Sequence, residues 1–178
     1  MKAYVLNEAG EVDNLVLSEI EKPVLKPGEV LVETRAISIN PVDIKVRPSE
    51  EVIRMIVGEE CPVILGWDIA GTVAEVAADV SDFVFGDKFF GMVNFPGHGK
   101  AYAEYVASPA GHLATMPEGL SFEDAAATTL AALTALQVLK PRVNAGDRVL
   151  IHAGSGGVGH FAIQLAKQLG AHAITTCS

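Results

Sequence analysis

The sequence predicts an α/β plus β architecture: a β-rich N-terminal domain, then the opening βαβ unit of a dinucleotide-binding domain. Three observations predict it. Short β-type runs broken by Gly and Pro fill residues 1 to about 110. From Ser121 the pattern turns helical. Arg148 to Gly159 (RVLIHAGSGGVG) then reads as a buried strand, a glycine loop and a helix start, with Gly154, Gly156 and Gly159 in G-x-G-x-x-G register. The boundary is placed so that 1–120 form the first domain and 121–178 the second.

In the first domain, Val30–Ile39 reads as a strand opened by the turn signal Lys26-Pro-Gly-Glu29. Gly71–Val76, Asp87–Gly91 and Ala101–Ala107 read as further strands, which together suggest a small barrel or sandwich. Ser121 is a helix N-cap followed by acids in the first turn, and Leu130, Leu133, Leu136 and Val138 continue the helical apolar pattern to Pro141. Strand 148–153, helix 158–169 and strand 172–177 complete the β-α-β unit, with Gly170 at the helix C-terminus.

Composition narrows the function classes. Of 178 residues, 49% are hydrophobic, which suits a packed globular chain. The net charge of −9 repels phosphate backbones and anionic membrane surfaces, so neither nucleic acid nor a membrane is an expected partner. No stretch approaches the ~20 apolar residues that span a bilayer. Two distant cysteines, Cys61 and Cys177, suit a reducing cytoplasm, which is the expected location.

The glycine loop has a physical reading. Gly154 allows a tight turn, Gly156 lets the backbone approach a pyrophosphate, and Gly159 lets helix pack on strand. Ser155, Gly157 and Val158 complete the cofactor-binding loop, at the end of a helix whose N–H groups attract phosphate. The second strand carries no acid near its end, where NAD-binding units place one, and Ser178 occupies about that position. A serine accommodates a 2′-phosphate, so NADPH is expected over NADH. Nineteen residues, 178 less 159, follow the last of the three glycines. They are too few for a full doubly wound sheet, so an incomplete cofactor domain is expected. A bare two-stranded sheet would then bind NADPH weakly and favour association into homo-oligomers.

Several ordered motifs carry a family resemblance. Leu25–Val32 resembles P-x-x-G-E-V-L-V, and Ile39–Arg47 resembles V-N-P-x-D-x-x-x-R. Pro62–Val73 is similar to P-x-x-x-G-x-D-x-A-G-x-V, and Gly86-Asp-Lys to G-D-x-V. The chain resembles the N-terminal part of a medium-chain dehydrogenase/reductase, in the zinc-independent NADPH:quinone oxidoreductase branch. The resemblance implies a GroES-like catalytic domain followed by a Rossmann domain, with the active site in the cleft between them. It implies hydride transfer to a small-molecule quinone or enone. An alcohol dehydrogenase, or a cofactor-binding member without turnover, are the alternatives.

Zinc-using relatives hold the metal with a Cys and the His of Gly-His-Glu. Here the first position matches Asn40, and Gly66-Trp67-Asp68 replaces Gly-His-Glu. Without that thiolate and imidazole no catalytic zinc is expected, and two cysteines cannot build a four-cysteine structural lobe. The resemblance places Asn40 near the nicotinamide and the acceptor carbonyl, and Thr134 at the nicotinamide. Trp67 and Asp68 stand at the replaced metal position; Trp67 either walls the acceptor pocket or belongs to the core. Thr134 could equally bond back to its own helix. Asp43 and Arg47, four apart, could form an ion pair on one helical turn. Tyr102 and the five histidines are expected to pack rather than to react.

Overall fold

The structure is a computed structural model that describes residues 1–177. Ser178, the predicted neighbour of the 2′-phosphate, lies outside the described residues. The chain divides into two compact units, Met1–Ala127 and Thr128–Ser178.

The first unit is built on an antiparallel sheet of five strands: β3 (Glu29–Ser38), β4 (Asp68–Val76), β5 (Lys88–Met92), β6 (Tyr105–Pro109) and β7 (Leu113–Thr115), in the order β6-β3-β4-β5-β7. A separate hairpin, β1 (Lys2–Leu6) with β2 (Leu15–Glu19), pairs antiparallel. Alternation selects the core face: Val30 and Val32 of β3, Ile69 and Val73 of β4, Phe89 of β5 and Val106 of β6 pack together. Two short helices, α1 (Pro41–Val46) and α2 (Glu50–Ile56), bury Val46 and Ile53 against Leu6, Leu65 and Trp67. Observed β3 lies within a residue of the predicted strand. β4 begins three residues earlier than predicted. The predicted strand at 101–107 starts only at Tyr105, because Tyr102 N donates instead to Leu65 O, and Tyr102 O and Glu104 N bond to Tyr4 N and Lys2 O of β1.

The helix α3 (Phe122–Leu139) begins where the N-cap signal placed it. Asp124 N donates to Ser121 Oγ at 3.0 Å. Replacing Ser121 with alanine is expected to cost about 1 kcal/mol, read as a lower denaturation midpoint. The apolar face predicted for α3 needs correction. Leu133, Leu136 and Val138 are exposed, and the buried residues of its second half are Ala131, Ala135 and Leu139. These stand four apart, one helical face, whereas the larger aliphatic residues fall on another.

The second unit pairs β8 (Arg148–Ile151) with β9 (His172–Thr175) in parallel, joined by α4 (Gly157–Gln168). Ala162 and Ala166 of α4 pack with Ile151, and their small size allows a close approach to the strands. α4 ends as predicted at Gly170, with φ of 80°. Ala171 N donates to Ala166 O at 2.9 Å and Gly170 N to Lys167 O at 3.0 Å, the paired bonds of a Schellman motif. Both strands are shorter than predicted. After β8 the backbone turns at Ala153, where φ is 54°.

Candidate functional site

In the first unit the site is assembled by strand register. β3 and β4 pair so that Ser38 stands opposite Asp68. Asn40 follows β3 by two residues and caps α1, whose first residue is Pro41, a position where a missing N–H costs nothing. Asn40 N donates to Asp43 Oδ2 at 2.6 Å, and Asp43 N donates to Asn40 O at 3.0 Å. With its backbone fixed in this way, the Asn40 side chain turns to β4, and its Nδ2 donates to Asp68 Oδ2 at 2.8 Å. A carboxylate oxygen only accepts, so the amide must present its nitrogen to Asp68.

Asp68 is 1% exposed and Trp67 beside it also 1%. Trp67 is a core residue of the first unit: its indole N–H donates to Gly97 O at 2.8 Å and its ring meets Phe95 edge-on at 5.3 Å. Of the two readings of Trp67, its position matches the core. A Cβ at Gly99 would press into the Trp67 ring, so the 93–102 segment can close over the indole only with glycine there.

Asp43 and Arg47 do not pair. Arg47 Nε donates to Gly10 O at 2.9 Å, and its Nη2 lies 3.6 Å from Glu11. The Asp43 carboxyl turns the other way, towards Asn40, because the N-cap N–H is close and fixed. Asp43 is 4% exposed, its Oδ1 is buried without a hydrogen-bond partner, and the Tyr102 hydroxyl interacts with its carboxyl. Burial pushes the Asp43 pKa above the usual carboxylate value, against the hydrogen bond from Asn40. Burial and then the Asp43 charge push the Tyr102 phenol up. Sequence alternation alone made Tyr102 a packing residue, and its contact with Asp43 was not legible there.

The raised Asp43 pKa carries a sign. A carboxyl harder to ionise in the folded chain than in the unfolded one lowers stability as pH rises from about 3.8 through the folded value. Asp43→Asn has no charge to desolvate. Its stability relative to the parent is therefore expected to increase across that window, measured by urea denaturation at a series of pH values.

A second polar group of the first unit was missed. His98 is buried, with a side-chain exposure of 5%. Its Nε2 accepts from Ile64 N at 2.9 Å, and its Nδ1 lies 3.4 Å from Glu60 Oε2. Lys100 Nζ bonds to the other oxygen of Glu60. Burial, then the Lys100 charge, hold the imidazole pKa below its ordinary 6.5. The Lys100 bond keeps Glu60 below the usual carboxylate value.

In the second unit the three glycines divide by the space around them. A Cβ at Gly154 would collide with Thr175 Oγ1, and one at Gly159 with Ala153 O. At Gly156 it would meet only Ala153 O, at 3.2 Å. Gly154 and Gly159 are therefore demanded by packing, and Gly156 is less confined, with one tight neighbour. Ser155, Gly156, Gly157 and Val158 are exposed at the N-terminus of α4, whose first N–H groups have no partners within the helix. Thr134 is exposed, and its Oγ1 donates to Leu130 O at 2.7 Å, the back-bond to its own helix. Among the described residues no group of three or more His, Cys, Asp or Glu is placed to hold a metal ion. No helix among them is long and apolar enough to cross a membrane.

A β-rich unit with a buried Asn40–Asp68 pair, and a second unit with a glycine loop opening a helix, suit a dehydrogenase/reductase class. Over residues 26–118 the chain matches the alcohol dehydrogenase GroES-like domain, and it belongs to that family. It is 36% identical over 175 residues to a quinone-oxidoreductase homolog, chloroplastic, of Spinacia oleracea, covering 94% of this chain and 52% of the relative. It is 35% identical over 176 residues to an NADPH-dependent alkenal/one oxidoreductase, chloroplastic, of Arabidopsis thaliana, covering 95% and 45%. The quinone oxidoreductase structure from Coxiella burnetii superposes with a TM-score of 0.89 at 40% identity, covering 100% of this chain and 56% of that one. The homologues are oxidoreductases of the quinone oxidoreductase-like medium-chain dehydrogenase/reductase type. The chain spans about half the length of these relatives. Both curated relatives are described as chloroplastic, which lends the cytoplasmic expectation no support.

Proposed function

We propose that this chain belongs to an NADPH-dependent reductase that transfers hydride to a quinone or enone without zinc. The observation that carries the reading is the Asn40–Asp68 pair, an amide nitrogen on a buried carboxyl at 2.8 Å. Asn40 stands at the position of the thiolate of zinc-using relatives, and Asp68 at that of the acid beside their imidazole. Trp67, at the position of that imidazole, offers an N–H donor already bound to Gly97 and no lone pair for a metal.

The chain's residues fit a dinucleotide. Gly156 leaves room for a pyrophosphate, Ser155, Gly157 and Val158 offer N–H groups at the start of α4, and β9 carries no acid that would repel a 2′-phosphate. When bound, the cofactor supplies the hydride. Asn40 would orient the acceptor: one Nδ2 hydrogen is held by Asp68 at 2.8 Å, and the other would exchange its long contact with Ser38 O, at 3.5 Å, for a carbonyl oxygen as negative charge builds there. Asp68 and Asp43 fix the amide and the backbone of Asn40, so the donor needs little rearrangement during reaction. Thr134 would meet the nicotinamide only after exchanging its bond to Leu130. Exposed Leu150 and Ile174 on the two-stranded sheet support association into homo-oligomers.

The test is NADPH oxidation over a panel of quinones and enones with full-length protein. Asn40→Ala is expected to lower kcat/KM about 100-fold, and to cost about 1–3 kcal/mol of stability because buried Asp68 loses a donor. NADPH binding without turnover on any acceptor would favour a non-catalytic role. One tightly held zinc per chain after dialysis would favour an alcohol dehydrogenase.

A further inference from the structure

The Ile64–Asp68 segment ends in the residue that orients Asn40, and it forms no regular helix or strand until β4 begins. It is held by the 93–102 segment. Val93 N donates to Trp67 O at 2.8 Å, Ala101 N to Gly66 O at 3.1 Å and Tyr102 N to Leu65 O at 3.0 Å. At its start the partner is a side chain instead of the backbone: Ile64 N donates to His98 Nε2 at 2.9 Å.

The geometry points to His98 as a positioning residue, a clamp on Ile64 that sets where Asp68, and through it the Asn40 amide, stands. This rests on the reading of Asn40 and Asp68 as the acceptor site. Nε2 accepts from an N–H, so the ring must be neutral, with its proton on Nδ1 facing Glu60. A second proton would occupy Nε2 and turn the acceptor into a donor opposing the Ile64 N–H. The clamp is therefore closed at high pH and opens as pH falls.

The charged groups around the ring are few. Glu60 faces Nδ1, and Lys100 is bound to Glu60. Lys26, Glu21, Glu29 and the chain's amino group line the cavity of about 430 Å³ that His98 shares. Glu60 favours the imidazolium. Lys100 and burial oppose it, burial most strongly, so protonation and opening belong below pH 6.5.

The test is a proton titration of the isotope-labelled 178-residue chain by nuclear magnetic resonance. It follows the His98 ring, the Ile64 amide and the Asn40 side-chain NH2. All three are expected to move with one midpoint, below 6.5. In His98→Gln, whose amide oxygen accepts at every pH, the component with that midpoint should vanish from the Asn40 signals. Changes with another origin, such as Asp43 titrating, would persist in that variant and are thereby separated. Glu60→Gln, at an exposed side chain, removes a charge that favours the imidazolium and should lower the shared midpoint while keeping the three signals together. Asn40 signals that titrate identically in His98→Gln, or an Ile64 amide that ignores the His98 midpoint, would overturn the clamp. The acceptor-site reading fails separately, if Asn40→Ala leaves turnover unchanged while the shared midpoint persists.

Discussion

Trp67→Ala is expected to destabilise the first unit by about 3–5 kcal/mol, much of the stability of an ordinary domain. The indole is 1% exposed and packs with Leu6, Val46, Ile53, Val57 and Leu65. Removing it opens a cavity among side chains from β1, α1 and α2. It also strips the donor from Gly97 O and the edge-on partner from Phe95. Trp67→Phe separates these contributions. It keeps most of the volume and leaves Gly97 O unpaired, at a cost of about 1–3 kcal/mol. Urea denaturation followed by circular dichroism measures both variants, since Trp67 is the sole tryptophan and fluorescence is lost with it. Equal stability of Trp67→Ala and the parent would show that the indole is not part of the cooperative core.

The second large effect separates two glycines of one motif. Gly159→Val is expected to unfold the second unit or cost several kcal/mol, because its Cβ would overlap Ala153 O and crowd the Gly154 backbone. Both obstacles are main chain of the same tight turn, so neither can rotate away. Gly156→Val has an ordinary backbone, with φ of −79°, and its Cβ makes one tight contact, with Ala153 O at 3.2 Å, that a small shift relieves. It should keep the parent's thermal midpoint and lose NADPH binding on full-length protein, since the new methyl groups occupy the space offered to the pyrophosphate. Intact NADPH binding by Gly156→Val would remove the loop from the cofactor site.

These predictions mark what was legible in the sequence. Local signals placed β3, the Ser121 cap, the glycine loop and Gly170 to within a residue or two, because each depends on neighbours a few positions away. The α3 face was misread because leucines at helical spacing do not say which face meets a partner; the alanines are buried. The Asp43–Arg47 pair failed for a related reason. Spacing of four permits an ion pair, but the Asn40 N–H is nearer to Asp43, and Arg47 finds Gly10 O from 37 positions away. His98 had no signal at all, since its partner Ile64 is 34 positions away.

The residues of the candidate site were visible as a departure from a metal-ligand pattern, but their relation to one another was not. The sequence by itself determined the chemistry on offer: an amide and an indole instead of thiolate and imidazole, a carboxyl beside the indole, and a glycine loop fit for phosphate. Only the tertiary structure decided that Asn40 and Asp68 meet, that Trp67 is buried in the core, that Tyr102 meets Asp43 and that His98 meets Ile64. The physical reason is register. Pairing Ser38 with Asp68 joins two segments 28 residues apart at Asn40, and a shift of one residue would turn Asp68 to the other face of the sheet.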